Sequence, residues 1–390
     1  MASKDKPYRV YRGGRAKGPI RHEPLKKEER ARRGDGGDGY EYKGPKAARK
    51  PRRWRRRVLW AVLGLIVLSL VWGLLGYLAF RSGVKEANKR LDPRAARALT
   101  PQKGLLLSNP SNILVLGADT GSRSRTTAAG RSDTMLVIRT DPDHHRIVQL
   151  FIPRDLRVDI PNHGAQKINA AYAFGGPTLA IKTVERVTGL PINHVIVVDF
   201  STFGQVIDAL GGVTIDVPHP IVSNKFECPL KTRAECDRWP GWRFHKGKQT
   251  MNGRRALIYS RIRENQLNPN ESDFTRGERQ QAVIQAIADE TVSFSTYLRA
   301  PFIGDNLVRP LATELSAAQI IQLGWVKFRT PASGRLRCRL GGSIADIGGQ
   351  SFVIGSEENV SVIAMVKGES APQPPRPGSG PFGPGCTVGK

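Results

Sequence analysis

The chain lacks the short motifs that mark many catalytic folds. No GxxxxGK[ST] loop, no GxGxxG after a strand, no GxSxG and no HExxH occurs in its 390 residues. P-loop, Rossmann, hydrolase-elbow and zincin readings therefore have no support. Seven histidines are scattered, and none has an evident triad partner. His144 and His145 fall in a turn, where exposure is the default. There are only four cysteines, Cys228, Cys236, Cys338 and Cys386, and none stands in a CxxC pair, which argues against zinc. An even count fits disulfides outside the cytoplasm. Three connectivities are open, and local pairing of Cys228 with Cys236 is the simplest. No internal repeat is present.

Acidic residues are also scarce, 34 Asp+Glu against 61 Lys+Arg, for a formal net charge of +27. The excess is uneven. Residues 1–57 hold 21 Lys/Arg against 7 Asp/Glu. That arm has no apolar periodicity and cannot offset its ordering entropy, so disorder is expected. We read it as a topology signal and anionic-lipid contact, and expect no nucleic acid partner. The adjoining apolar segment decides this. Val58 to Phe80 is a run of 23 uncharged residues, long enough at ~1.5 Å per residue to cross a ~30 Å bilayer core. Arg52, Arg53, Arg55, Arg56 and Arg57 precede it, which places the N-terminus in the cytoplasm. The run is too long for a signal-peptide core, and Leu78-Ala79-Phe80-Arg81 is a poor cleavage site. A single-pass membrane protein with its remaining chain outside the cytoplasm is expected.

Composition divides the chain into five parts: a disordered basic arm over 1–57, a transmembrane helix over 58–80, a stalk over 81–107, one domain over 108–330, and an extension over 331–390 with a Pro/Gly-rich tail. Within the domain, strands are expected at 112–116, 134–139, 146–152, 194–199 and 213–217. Helices are expected at 178–187, 203–210, 252–261, 276–292 and 316–326. The alternation predicts an α/β fold, a single external domain with a central mixed β-sheet flanked by helices. In the extension, 352–354 and 360–365 read as two further strands.

The chemistry gathers in two segments. Arg131 and Asp133 precede the second strand, and Arg154-Asp155 ends the third. Arg261 and Arg263 close a helical stretch. Asp273 is placed as N-cap of the next helix, where Arg276 and Gln280 share a face and Arg279 flanks it. Clustered guanidinium groups match phosphate with paired hydrogen bonds. Asp119 follows the first strand and Asp133 precedes the second. If those strands are neighbours, both carboxylates reach one rim, as a Mg²⁺ ion at a phosphate would need. The helices after Gly176 and Arg276 are apolar on more than one side, so they are core or line an apolar cavity.

In order, RSDTMLVIRTDP, QLFIPRDLRVDIP, KINAAYAFGG, DALGGVTIDV, LIYSRIR and DFTRGERQQ resemble the LytR–CpsA–Psr family of cell-wall glycopolymer transferases. The resemblance runs from about Ser111 to Ala288 and more weakly to Phe328. It implies transfer of a phospho-glycan from a polyprenyl-pyrophosphate lipid to a peptidoglycan acceptor, with Mg²⁺ (or Mn²⁺). By position, Asp119 and Asp133 match the family's metal ligands. Arg131, Arg154, Arg261, Arg263, Arg276 and Gln280 match its pyrophosphate-binding residues. Asp155 and Asp273 match acids that orient those arginines. Asp155 or a metal-bound aspartate would accept the acceptor's proton. A hydrolase using water at the same site, and a non-catalytic envelope scaffold or regulator, are the competing readings.

Overall fold

A computed structural model of the protein describes residues 52–118, 132–226, 228–268, 273–379 and 383–389, with backbone alone at 52, 133, 200, 201, 273 and 274. Two compact units divide at Trp60. The first contributes the opening turns of helix α1 (Arg52–Arg90), and the rest of α1 and every other element belong to the second. Among the described residues α1 is the one helix long and apolar enough to cross a membrane.

Helix α2 (Pro93–Ala98) precedes three strands, β1 (Ser111–Ala118), β2 (Ser132–Asp141) and β3 (Arg146–Ile152). A small ribbon, β4 (Arg157–Ile160) and β5 (Gly164–Lys167), leads to helix α3 (Ala170–Thr188). Strand β6 (His194–Asp199), helix α4 (Phe200–Leu210) and strand β7 (Val213–Val217) follow. Next comes an insert of β8 (Ile221–Val222), α5 (Arg233–Arg238) and β9 (Arg243–Phe244), and then β10 (Gly247–Met251). Three helices succeed it: α6 (Gly253–Arg261), α7 (Asp273–Thr291) and α8 (Phe294–Val308). The chain ends with β11 (Ala312–Thr313), α9 (Ala317–Arg329), β12 (Arg335–Arg339), β13 (Gly342–Ile347), β14 (Gln350–Gly355), α10 (Glu358–Lys367) and β15 (Gly385–Val388).

Seven strands form the central sheet in the order β11-β6-β1-β2-β3-β12-β15. β1 pairs parallel with β6 and β3 parallel with β12, while the other pairs are antiparallel. The sheet is therefore mixed, with helices on both faces. Alternation along the strands sorts the core. Leu114, Leu116, Met135, Val137, Leu150 and Ile152 pack with Ala171, Ile181 and Val184 of α3. Val115, Leu136 and Phe151 point to the other face, against Ile284 of α7.

Three expectations change. Residues 360–365 lie in helix α10, which ends at Gly368 in the left-handed conformation. A short run of β-branched and apolar residues cannot separate a strand from a buried helix by periodicity, and here Val362, Met365 and Val366 fill the sheet's α3 side. The stalk over 81–107 does not stand clear of the domain. Helix α1 continues unbroken to Arg90, and Val84, Ala87, Leu91, Ala95 and Leu106 are all buried. Nor is the end of the chain a free tail: β15 joins the sheet at its edge, where Cys386 pairs with Cys338 of β12 in register and in a disulfide. Cys228 and Cys236 form the second disulfide, within the insert.

Candidate active site

The register brings the motif segments to one rim of the sheet. Ala118 ends β1 opposite Ser132 of β2 and beside Asp199 of the parallel strand β6. Met135 pairs with Ile152, the last residue of β3, so Arg154 and Asp155 emerge at the same edge. Gly117 pairs with Thr134 and Ala118 with Ser132, which leaves Asp133 as the extra residue of a bulge. Bulges of this kind re-aim a side chain at a sheet rim. Asp119 and Arg131 lie outside the described residues, as do the side chains of Asp133 and Asp273. In the sequence Asp119 follows Ala118 and Asp133 follows Ser132, the two residues that pair at the end of β1 and β2.

Arg154 is held on two sides. Its Nε donates to Asp155 Oδ2 at 3.2 Å, and its carbonyl accepts from Asn169 N at 3.2 Å. Lys167 Nζ meets the other Asp155 oxygen at 2.9 Å. Ile168 N donates to the Leu156 carbonyl. The PRDL and KINAAY motifs are therefore one unit, in which Lys167 and Arg154 share Asp155. Lys167 escapes a reading of the sequence alone, although it opens one of the motifs. Asp199, at the end of β6, escapes it too. Burial raises the phenol of Tyr172 above its ordinary value, and the Asp199 charge acts in the same direction. Tyr172 thus stays neutral beside that carboxylate.

The second group of residues comes from α6 and α7. The Asp208 carboxylate accepts from Gly253 N, which ties the DALGG motif to the first turn of α6. Arg261 is half-buried at the end of α6, and Arg263 is exposed just beyond it. Helix α7 grips this turn: Arg279 Nη2 donates to the Ile262 carbonyl at 2.5 Å and Gln280 Nε2 to the Ser260 carbonyl at 3.5 Å. Arg279 is therefore a clamp on the backbone that carries Arg261 and Arg263. Past Arg263, Asn265 Oδ1 accepts from Val222 N and Gln266 Nε2 donates to the Ser223 carbonyl at 2.6 Å. The disulfide-closed insert so fixes the far side of the same loop.

Arg276 is 2% exposed on the α7 face that it shares with Gln280. Gly277 lets this helix approach the sheet. A Cβ there would lie 2.6 to 2.9 Å from three ring atoms of Phe151. We expect Gly277→Ala to lift α7 at a cost of about 1–3 kcal/mol, more than offsetting the helix-propensity gain of up to ~1 kcal/mol. A double-mutant cycle with Phe151→Leu, read by thermal unfolding, should recover most of that loss. Additive losses would show that the contact is not what Gly277 provides.

Behind the rim, between the sheet and helices α4, α6 and α7, is a cavity of about 220 Å³. Its walls are apolar, among them Val115, Ile138, Ile196, Val198, Val283 and Ile287. Thr134, Ser260 and Gln280 supply its polar lining. Gln280 is buried, and its Oε1 has no hydrogen-bond partner among the described residues. One side chain thus lines the cavity a single turn from Arg276.

Residues 76–335 match the family model described as the LytR_cpsA_psr family. The chain belongs to that family. It is 29% identical over 313 residues to the polyisoprenyl-teichoic acid–peptidoglycan teichoic acid transferase TagU of Halalkalibacterium halodurans, covering 79% of this chain and 94% of the relative. Among solved structures, TagV of Bacillus subtilis superposes with a TM-score of 0.56 at 26% identity, covering 67% of this chain and 97% of that one. TagT bound to LIIa-WTA superposes with a TM-score of 0.53 at 26% identity, covering 69% and 93%. The LytR_cpsA_psr span takes in the rim, the cavity and the start of β12. Strand β15 and the Cys338–Cys386 bridge lie beyond it.

Proposed function

We propose that this protein is a membrane-anchored phosphotransferase. It moves a phospho-glycopolymer from a polyprenyl-pyrophosphate carrier onto peptidoglycan, outside the cytoplasm. The observation that carries this reading is the junction at Gln280 between an arginine-lined rim and an apolar cavity. A lipid pyrophosphate needs both in sequence, and few other metabolites do. The names of TagU and of the TagT complex support it.

In this reading Arg131, Arg154, Arg261, Arg263 and Arg276, with Gln280, hold the pyrophosphate and neutralise its oxygens. That favours the transition state, where more negative charge collects on them. Asp155 holds Arg154 and Lys167 in place, and Asp273 supports the start of α7. Asp119 and Asp133 would hold Mg²⁺ (or Mn²⁺). They fit, because they flank a paired position on adjacent strands, and Mg²⁺ takes one or two carboxylates with phosphate oxygens and water completing its shell. The ion would supply further charge neutralisation at the phosphate oxygens. The acceptor hydroxyl oxygen bonds to the glycan-bearing phosphorus, and the bond from that phosphorus to the lipid phosphate breaks in line. The hydroxyl proton passes to a rim aspartate. Both Asp155 oxygens already face cations, so we assign that role to the Asp119/Asp133 pair.

The test uses the full chain in vesicles and a donor labelled at the phosphate next to the glycan. Label should enter the polymer fraction only when peptidoglycan is supplied. Equal release of phospho-glycan with and without peptidoglycan would make the protein a hydrolase. Absence of any turnover would favour the scaffold reading.

A further inference from the structure

Helices α8 and α9 leave a set of large apolar side chains uncovered. Phe294 is 73% exposed and Phe302 72%, with Leu298 between them on the same helical face at spacings of four. On α9, Ile321, Trp325 and Phe328 repeat the pattern at spacings of four and three, with Phe328 67% exposed. Gly324 of α9 would bring a Cβ within 3.9 Å of Val292, so α9 adjoins the corner at which α8 begins. Aromatic groups of this number are not left in water without a partner surface.

The contacts of α8 identify that surface. Its inner side runs along the last turns of the apolar stretch of α1. Trp72 meets Phe302 edge-on, with centroids 5.7 Å apart. Ser69 Oγ lies 2.8 Å from Tyr297 Oη. A Cβ on Gly76 would stand 2.8 Å from Ala300 Cβ, and one on Gly304 would stand 3.1 Å from the Gly76 carbonyl. Small residues at such a crossing let helix backbones approach as they do within membranes. The Arg299 guanidinium of α8 turns inward and donates to the Leu210 carbonyl, and the Asp305 backbone packs on Gly83 at the end of the stretch.

We infer that α8 and α9 are embedded in the lipid leaflet on the domain's side, with Phe294, Leu298, Phe302, Trp325 and Phe328 among acyl chains. An interfacial helix of this kind buries its apolar face roughly 5–10 Å into the boundary of headgroups and chains. The domain is then seated on the bilayer by a face as well as tethered by a helix. Leu311, three residues past α8, lines the apolar cavity. Use of the face for carrier entry rests on the transferase reading; its contact with lipid does not.

All four native cysteines are in disulfides, so single introduced thiols can be spin-labelled selectively. Phe294→Cys, Phe302→Cys and Trp325→Cys are compared with Val360→Cys on α10, which is 76% exposed and outside this face. The full chain is placed in vesicles of phosphatidylglycerol and phosphatidylethanolamine. At 294, 302 and 325 the ratio of oxygen to nickel-chelate accessibility should be several-fold higher than at 360. Water-like ratios at all four positions would overturn the proposal. Exclusion of both reagents at 302, with dipolar broadening between labels, would also overturn it, since a second copy would then cover the face. Neither result bears on whether the site transfers a glycan.

Discussion

Arg154→Ala is expected to lower kcat/KM for transfer by about 10³-fold, the lower end of what a charge-stabilising arginine contributes in phosphoryl transfer. The side chain is 17% exposed at the rim, and Asp155 holds it through Nε. A guanidinium fixed in this way matches a phosphate with paired hydrogen bonds. The fold should survive the change. The backbone of this turn is fixed by Leu156 N to the Pro153 carbonyl and by Asn169 N to the Arg154 carbonyl, neither of which needs the guanidinium. Asp155 would retain Lys167 as its partner at 2.9 Å. Thermal unfolding should therefore shift by a few degrees at most while turnover collapses. Arg154→Lys keeps the charge and loses the planar fork, so it should fall between the two. Wild-type turnover in purified Arg154→Ala protein would remove Arg154 from the site.

Asp133→Ala should be comparably damaging, about 10³-fold, if the residue holds a metal that contributes several kcal/mol at the transition state. The flanking residues Ser132 and Thr134 remain paired with Ala118 and Gly117, so the strand has no need of the carboxylate. Metal identity separates a ligand from a structural residue. Asp133→Cys should be inactive with Mg²⁺ and regain part of its turnover with Cd²⁺, because thiolate prefers softer ions. A variant equally inactive with every ion, but folded, would contradict metal binding at this position.

The elements that bear the motifs could be read in the sequence because their signals are local. Asn112 to Leu116, Thr134 to Arg139 and Arg146 to Ile152 are apolar runs bounded by turn residues, and all three are strands of the sheet. The uncharged run from Val58 is equally plain. Val360 to Met365 was not legible, because its preference for a strand yields to burial against the sheet once α10 is packed there. Val84, Ala87 and Leu91 were hidden among charged neighbours, so the segment read as a stalk. Their apolar spacing has meaning only when α4, α8 and the sheet are present to cover them.

The candidate site shows the same division. Its arginines and aspartates stand out by type, and their order carries the family resemblance. Lys167 does not stand out, since a lone lysine after a short polar ribbon is usually solvated. Its pairing with Asp155 exists because β5 folds back on β4 and sets Ile168 beside Leu156. In the sequence Arg279 only flanks the face of Arg276 and Gln280; contact with the Ile262 carbonyl makes it a clamp.

By itself the sequence determined the long apolar helix, the strand and helix alternation, and the set of charged side chains, because hydrophobic period and residue chemistry are properties of neighbours along the chain. Only the tertiary structure decided which of those charges meet. The parallel pairing of β1 with β6, the bulge at Asp133 and the close approach of α7 at Gly277 are contacts between distant segments. They put a basic rim against an apolar cavity, and separate long-range contacts set α8 against the last turns of the apolar stretch of α1. No local pattern encodes those meetings, since each depends on burial that exists only after the chain has closed.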